Sequence, residues 1–227
     1  IFIGQGIGSH ALGGVTIVFP LTIILISFSS LVGEGLGSIV SRGIAGGKDK
    51  IVSDTIRTGQ GMTFWLSMLF IITSFFFIEK IMIFLGATPD ILDYAVRYYR
   101  ALLFGLPFMG LSLVYFHQLN AQGEIRVAMK AMVLSTLINI IFDYAAIFIF
   151  DMGIEGAGFA TAFSQLIWYF YMHINACKSQ TIKTVIHPVT LKLNITRAVE
   201  IIQLGFSSFV RQIGVSIALI LINSLAG

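Results

Sequence analysis

Six stretches of this chain are apolar and long enough to cross a bilayer as helices, given about 20 residues per crossing of roughly 30 Å of hydrocarbon. They run over 12–40, 59–78, 101–116, 127–150, 157–174 and 199–225. No soluble core of 227 residues buries that much apolar surface. The composition agrees: 56% of residues are apolar and 11% charged, against about 25% charged in soluble domains. Mean hydropathy is +0.91. The sequence therefore reads as an all-α integral membrane protein, multi-pass and surrounded by lipid.

Several function classes fall away. A lone Cys177 makes no disulfide scaffold. A net charge of +3, scattered along the chain, gives no footprint for nucleic acid. His10, His117, His173 and His187 lack metal-ligand spacing. Neither HExxH nor GxSxG occurs, so nothing marks an enzyme. The glycine triplets at Gly4, Gly6 and Gly8 and at Gly33, Gly35 and Gly37 touch membrane helices and follow no strand. They read as close-packing devices rather than nucleotide loops. The sequence opens on Ile1 and closes on an apolar run, so it is expected to be part of a longer chain.

Orientation follows from Lys and Arg in alternate loops. One side holds ten: Arg42, Lys48, Lys50, Arg57, Arg126, Lys130, Lys178, Lys183, Lys192 and Arg197. The other side holds three, Lys80, Arg97 and Arg100, and Arg211 lies inside the last span. The loops 41–57, 118–130 and 175–197 are thus expected in the cytoplasm of a cell that carries the protein in its inner (plasma) membrane. Asn194 is expected to cap the last helix, and Thr88 to cap an amphipathic stretch over 90–100, with Pro89 in its first turn. Pro20 is the natural bending point of the first span.

Ionisable side chains at membrane depth are costly and usually face an interior path. Only Glu34 and Asp143 clearly fall within spans. Asn139 and Asp143, four residues apart, share a helix face. The following hairpin turns near Gly153, ten residues after Asp143 and eight before Thr161, so both lie at nearly the same depth. Gln165 extends the Thr161 face, and Gly156, Ala157, Gly158, Ala160 and Ala162 thin that helix for close packing. A carboxylate, an amide and a hydroxyl at mid-membrane suit a proton or Na⁺, a hard cation that favours oxygen ligands. The alternative is a satisfied polar cluster that only locks helices together. Glu34 is expected either to line a cavity or to snorkel, and Arg211-Gln212 either to face a substrate path or to neutralise Glu34.

Taken in order, these motifs resemble the multidrug and toxic compound extrusion transporters, the MATE family. The resemblance runs from Gly8-Ser-His-Ala-Leu-Gly-Gly-Val-Thr-Ile-Val-Phe-Pro20 through Gly33-Glu-Gly35, Ser41-Arg42-Gly43 and Gln122-Gly123. It continues over Asn139-Ile-Ile-Phe-Asp143, Gly156-Ala157-Gly158-Phe-Ala-Thr161-Ala-Phe-Ser-Gln165 and Arg211-Gln212. It implies part of a twelve-helix fold, from the second to the seventh helix. Residues 1–176 would be the N-terminal lobe without its first helix, 177–196 an interlobe loop, and 197–227 the first helix of the C-terminal lobe. It further implies a cation-coupling role for Asn139, Asp143 and Thr161, with H⁺ or Na⁺ as coupling ion and no other cofactor. The family site also uses an acidic residue on the first helix, which this chain does not contain. The family's second Na⁺ position, a glutamate midway along the seventh helix, has no counterpart beyond Arg211 and Glu200.

The expected function is secondary active efflux by alternating access, H⁺ or Na⁺ exchanging for an organic solute, cationic and drug-like by family. Glu34, Gln165, Arg211 and Gln212 are candidates for the substrate cavity. The competing expectations are a lipid-linked oligosaccharide flippase of the same superfamily and a non-transporting structural bundle.

Overall fold

A computed structural model describes residues 2–178 and 193–226. Their elements are helices: α1 (Phe2–Gly6), α2 (Ser9–Ala45), α3 (Asp49–Phe76), α4 (Ile78–Phe84), α5 (Pro89–Leu102), α6 (Leu106–Ala121), α7 (Ile125–Tyr144), α8 (Gly153–Lys178) and α9 (Ile195–Ala226). A π-helical turn, Ala145–Ile149, extends α7. Most of the expected interlobe loop, and His187 with it, lies outside the described residues.

The bundle is built around α2, which packs against α9, α6, α3 and α5. Its most apolar stretch is 56% buried within the chain, whereas those of α7 and α9 are 11% and 17% buried. Those two helices turn Met132, Val133, Leu137, Ile141, Phe206, Val210, Ile217 and Leu221 away from the rest of this chain. Among the described residues, four helices are long and apolar enough to cross a membrane, α2, α3, α7 with its π turn, and α9; α5 and α6 pass the same test only as a pair, bent at their junction.

This changes the sequence reading in three places. The expected third span, 101–116, is two helices joined at a 58° bend. The amphipathic stretch is continuous with it, as helix α5 from Pro89 to Leu102. The expected fifth span is a 26-residue helix, α8, but it is not among the helices that pass on length and apolarity. Gln165, Tyr169, Tyr171, His173 and Asn175 dilute it, and some of these groups are used within the protein. Tyr115 hydroxyl and His173 Nδ1, for example, lie 2.8 Å apart. Thirdly, Thr88 occupies the N-cap position of α5 without making a side-chain capping bond. Asn194 does cap: its Oδ1 accepts from the Arg197 backbone N–H at 3.3 Å. Helix α2 runs on through Pro20.

Two glycines bring α2 and α9 together. A Cβ on Gly35 would collide with the Ile201 carbonyl oxygen, and one on Gly205 would collide with that of Leu31. Only hydrogen fits at either crossing. The α7–α8 turn uses left-handed backbone at Asp151 (φ 49°) and Gly153 (φ 61°). That tight reversal sets the register of the two helices that carry the candidate site.

Candidate functional site

The α7–α8 seam is held by polar bonds one turn apart. Ser135 Oγ donates to the Ser164 carbonyl at 3.0 Å. Asn139 Nδ2 donates to Thr161 Oγ1 at 3.4 Å. The Thr161 hydroxyl in turn donates to the Ala157 carbonyl at 3.0 Å, so one oxygen both accepts from α7 and anchors to its own helix. The residue count puts Asp143 level with Thr161, but the structure sets Asn139 there instead and Asp143 one turn further along α7, with the π turn taking up residues before the reversal at Gly153.

Asp143 is half-buried, and its Oδ1 is buried without a hydrogen-bond partner. A carboxylate oxygen removed from water and left unbonded costs free energy unless something with positive charge or an N–H or O–H donor meets it. The π turn follows at once, and such turns recur at functional sites. There the Phe150 N–H reaches back five residues to the Ala145 carbonyl at 2.9 Å.

A fourth group completes the cluster. Tyr98, 8% exposed on α5, has its phenol close to Thr161 and in electrostatic range of Asp143. Gly158 makes this approach feasible, since a Cβ there would meet the Ala101 Cβ at 2.6 Å and the Tyr98 carbonyl at 2.7 Å. Sequence reasoning missed Tyr98 because it treated 90–100 as an interfacial stretch. The one available signal was the small-residue face of α8, which calls for a close neighbour.

The four cavity candidates fall in two separate places. Gln165 is buried against the α5–α6 break, where its amide lies over Gly105 and its Nε2 is 3.4 Å from Met109 Sδ. Its Oε1 has no partner. Glu34 and Arg211 meet across the α2–α9 seam: Arg211 Nη2 donates to Glu34 Oε1 at 3.0 Å. Ser208 Oγ donates to the same oxygen at 2.6 Å. Arg211 thus pairs with Glu34, as one of the alternatives weighed for it expects. Gln212 is half-buried beside them. Further along, the Ser216 hydroxyl donates to the Pro20 carbonyl at 2.9 Å. Among the described residues no group of three or more His, Cys, Asp or Glu is placed to hold a metal ion.

A family model described as MatE matches residues 1–145. The chain belongs to the MatE family. Relatives of this MatE chain include "Multidrug export protein MepA" of Staphylococcus saprophyticus, 28% identical over 98% of this chain and 49% of the relative. "Probable multidrug resistance protein YoeA" of Bacillus subtilis is 25% identical over 98% of this chain and 49% of its own length. Among solved structures, "Inward-facing conformation of a multidrug resistance MATE family transporter of the MOP superfamily" superposes with a TM-score of 0.86. It is 24% identical, over 99% of this chain and 51% of that one. The outward-facing structure of such a transporter gives 0.83 at 23% identity, over 96% of this chain and 48% of that one. The all-α fold is that of MATE transporters, and this MatE chain spans about half the length of the relatives it matches.

Proposed function

We propose that this chain is the cation-coupling part of a secondary active exporter, a transporter rather than an enzyme, exchanging H⁺ or Na⁺ for an organic solute by alternating access. The observation that carries the proposal is the buried, unpartnered Oδ1 of Asp143 beside the Asn139–Thr161 bond and the Tyr98 phenol. A proton would satisfy that oxygen by making it a hydroxyl. Sodium would satisfy it by sharing the Asp143, Asn139 and Thr161 oxygens, a hard-donor set. Neither route needs a resident cofactor.

In this reading α2 to α8 belong to the N-terminal lobe and α9 opens the second lobe. The basic loops face the cytoplasm, and the α2–α9 seam is the interlobe contact that breaks and re-forms. Loading Asp143 neutralises a mid-membrane charge and so changes which helix arrangement is favoured. By linkage, cation and solute must then alter each other's affinity by the same factor. The Glu34–Arg211 pair leaves this part of the seam without net charge, so it lacks the excess of basic groups that the multiply anionic headgroup of a lipid-linked oligosaccharide calls for.

The test is binding of a lipophilic fluorescent cation to the purified complete protein, across pH and Na⁺ concentration. Cation affinity that falls as either coupling ion is raised, with the dependence removed by Asp143→Asn, supports the proposal. Affinity that ignores both ions in the wild-type protein overturns it.

A further inference from the structure

At the end of the bundle where α2 finishes and α9 starts, a cavity of about 430 Å³ opens between them and the α2–α3 turn. Its polar wall carries Arg42, Lys48, Arg197 and Glu200, and its apolar wall includes Ile39 and Leu204. Arg197 is paired with Glu200. Arg42 spends its Nε on the Ser38 carbonyl, at 3.0 Å. Its terminal nitrogens, and the ammonium of the exposed Lys48, carry no ion pair among the described residues. Three cations against one carboxylate leave the cavity with an excess positive charge.

The arrangement is graded with depth. Ile39 lies three residues deeper along α2 than Arg42, and Leu204 four deeper along α9 than Glu200, roughly 5 Å in each case at 1.5 Å per residue. A ligand filling the cavity would therefore meet cations at the membrane surface, with Ile39, Leu204 and the Gln203 amide below them. That order is the order of groups in a phospholipid, and basic pockets between membrane helices suit anionic headgroups. A small soluble anion has no use for the apolar wall.

We propose that this cleft binds the headgroup of an anionic phospholipid, its phosphate held by Arg42 and Lys48 and the start of its acyl chains lying against Ile39 and Leu204. Because α2 and α9 both contribute, the bound lipid acts as a clamp across the seam. The leaflet it comes from follows from the proposed orientation, but the site itself does not depend on the transport reading.

Native mass spectrometry of the purified complete protein, equilibrated with phosphatidylglycerol or phosphatidylcholine, tests this without measuring transport. The wild-type protein is expected to retain phosphatidylglycerol in preference to phosphatidylcholine. In the Arg42→Gln/Lys48→Gln variant the retained phosphatidylglycerol falls by about tenfold or more, phosphatidylcholine is unchanged, and excess inorganic phosphate does not compete in the wild type. Lys48→Gln alone, at an exposed turn position, shows a smaller loss in the same direction and guards against misfolding of the double variant. Unchanged phosphatidylglycerol retention in both variants overturns the proposal. So does full displacement by inorganic phosphate, which would make the cleft a site for soluble anions.

Discussion

The two polar seams of this molecule hold their carboxylates in opposite ways. Across α2–α9, Glu34 receives a guanidinium and a hydroxyl on one oxygen, between glycines that leave no room for a side chain. Across α7–α8, the amide and the hydroxyl are spent on each other, and Asp143 keeps an oxygen with no donor. A satisfied acid is a fastener. An unsatisfied one at membrane depth persists where something else fills the vacancy in the working cycle. In the proposed reading, Glu34 holds helices together and Asp143 exchanges a cation.

The largest effect should come from the backbone crossings of the fastener. Gly205→Leu has to push apart two helices whose backbones touch, and loss of folded protein by size-exclusion analysis is expected. Gly205→Ala should still cost about 1–3 kcal/mol from overpacking. Gly214, on the same helix, has open space where a Cβ would stand, with nothing within 4 Å, and should accept alanine without loss. Similar melting temperatures for the Gly205→Ala and Gly214→Ala variants would break the close-contact explanation.

The ion pair comes next. Removing one partner leaves a charge in the membrane, whereas removing both does not. A double-mutant cycle over Glu34→Gln and Arg211→Gln should show a coupling of about 0.5–1 kcal/mol in thermal unfolding, at the low end because the side chains are 69% and 37% exposed. Additive effects would mean the pair contributes nothing to the seam. Thr161→Val keeps the shape of α8 but removes the acceptor for Asn139. Membrane hydrogen bonds of this kind average about 0.6 kcal/mol, so stability should fall by that order while ion dependence of transport changes more. A variant that loses stability alone would return the cluster to a purely structural role.

The smallest effect lies outside the membrane core, at the pair formed by Arg97 and Glu155, whose side chains are 43% and 32% exposed. Partial burial raises the Glu155 pKa, but hydrogen bonds and charge from Arg97 outweigh it and hold the carboxyl below its ordinary value. A depressed carboxyl stabilises the fold above the unfolded-state pKa, near 4.3 for Glu, and loses that contribution as pH falls through the folded value. Glu155→Gln should therefore cost about 0.2–1 kcal/mol at neutral pH, with the difference from wild type vanishing in acid. A difference that grows on acidification would contradict the sign.

The two seams were not equally legible in the sequence. Residue counts from a turn at Gly153 bring Asp143 to within one helical turn of Thr161, but the register is a turn off, because the count does not see the π turn at Ala145–Ile149. Positional arithmetic of that kind cannot show that Asn139 takes the Thr161 hydroxyl and leaves Asp143 unpartnered, since that depends on side-chain geometry. Tyr98 was invisible because its place depends on a 58° bend that no single residue announces. Between α2 and α9, 177 residues separate Glu34 from Arg211, and no local spacing rule spans that distance. The short helix α4 and the π turn escaped for a related reason, as seven and five residues are too few for periodicity to set them apart from the spans they adjoin. Asn194, by contrast, was readable as a cap because a cap acts within one turn.

The most direct test is efflux of a fluorescent lipophilic cation from proteoliposomes holding the complete protein, under separately imposed H⁺ and Na⁺ gradients. Wild type and a folded Asp143→Asn variant would be compared side by side. Gradient-driven efflux in the wild type, lost in the variant while its thermal stability is kept, is the expected result. Equal gradient-driven efflux from both would contradict the assignment of coupling to Asp143.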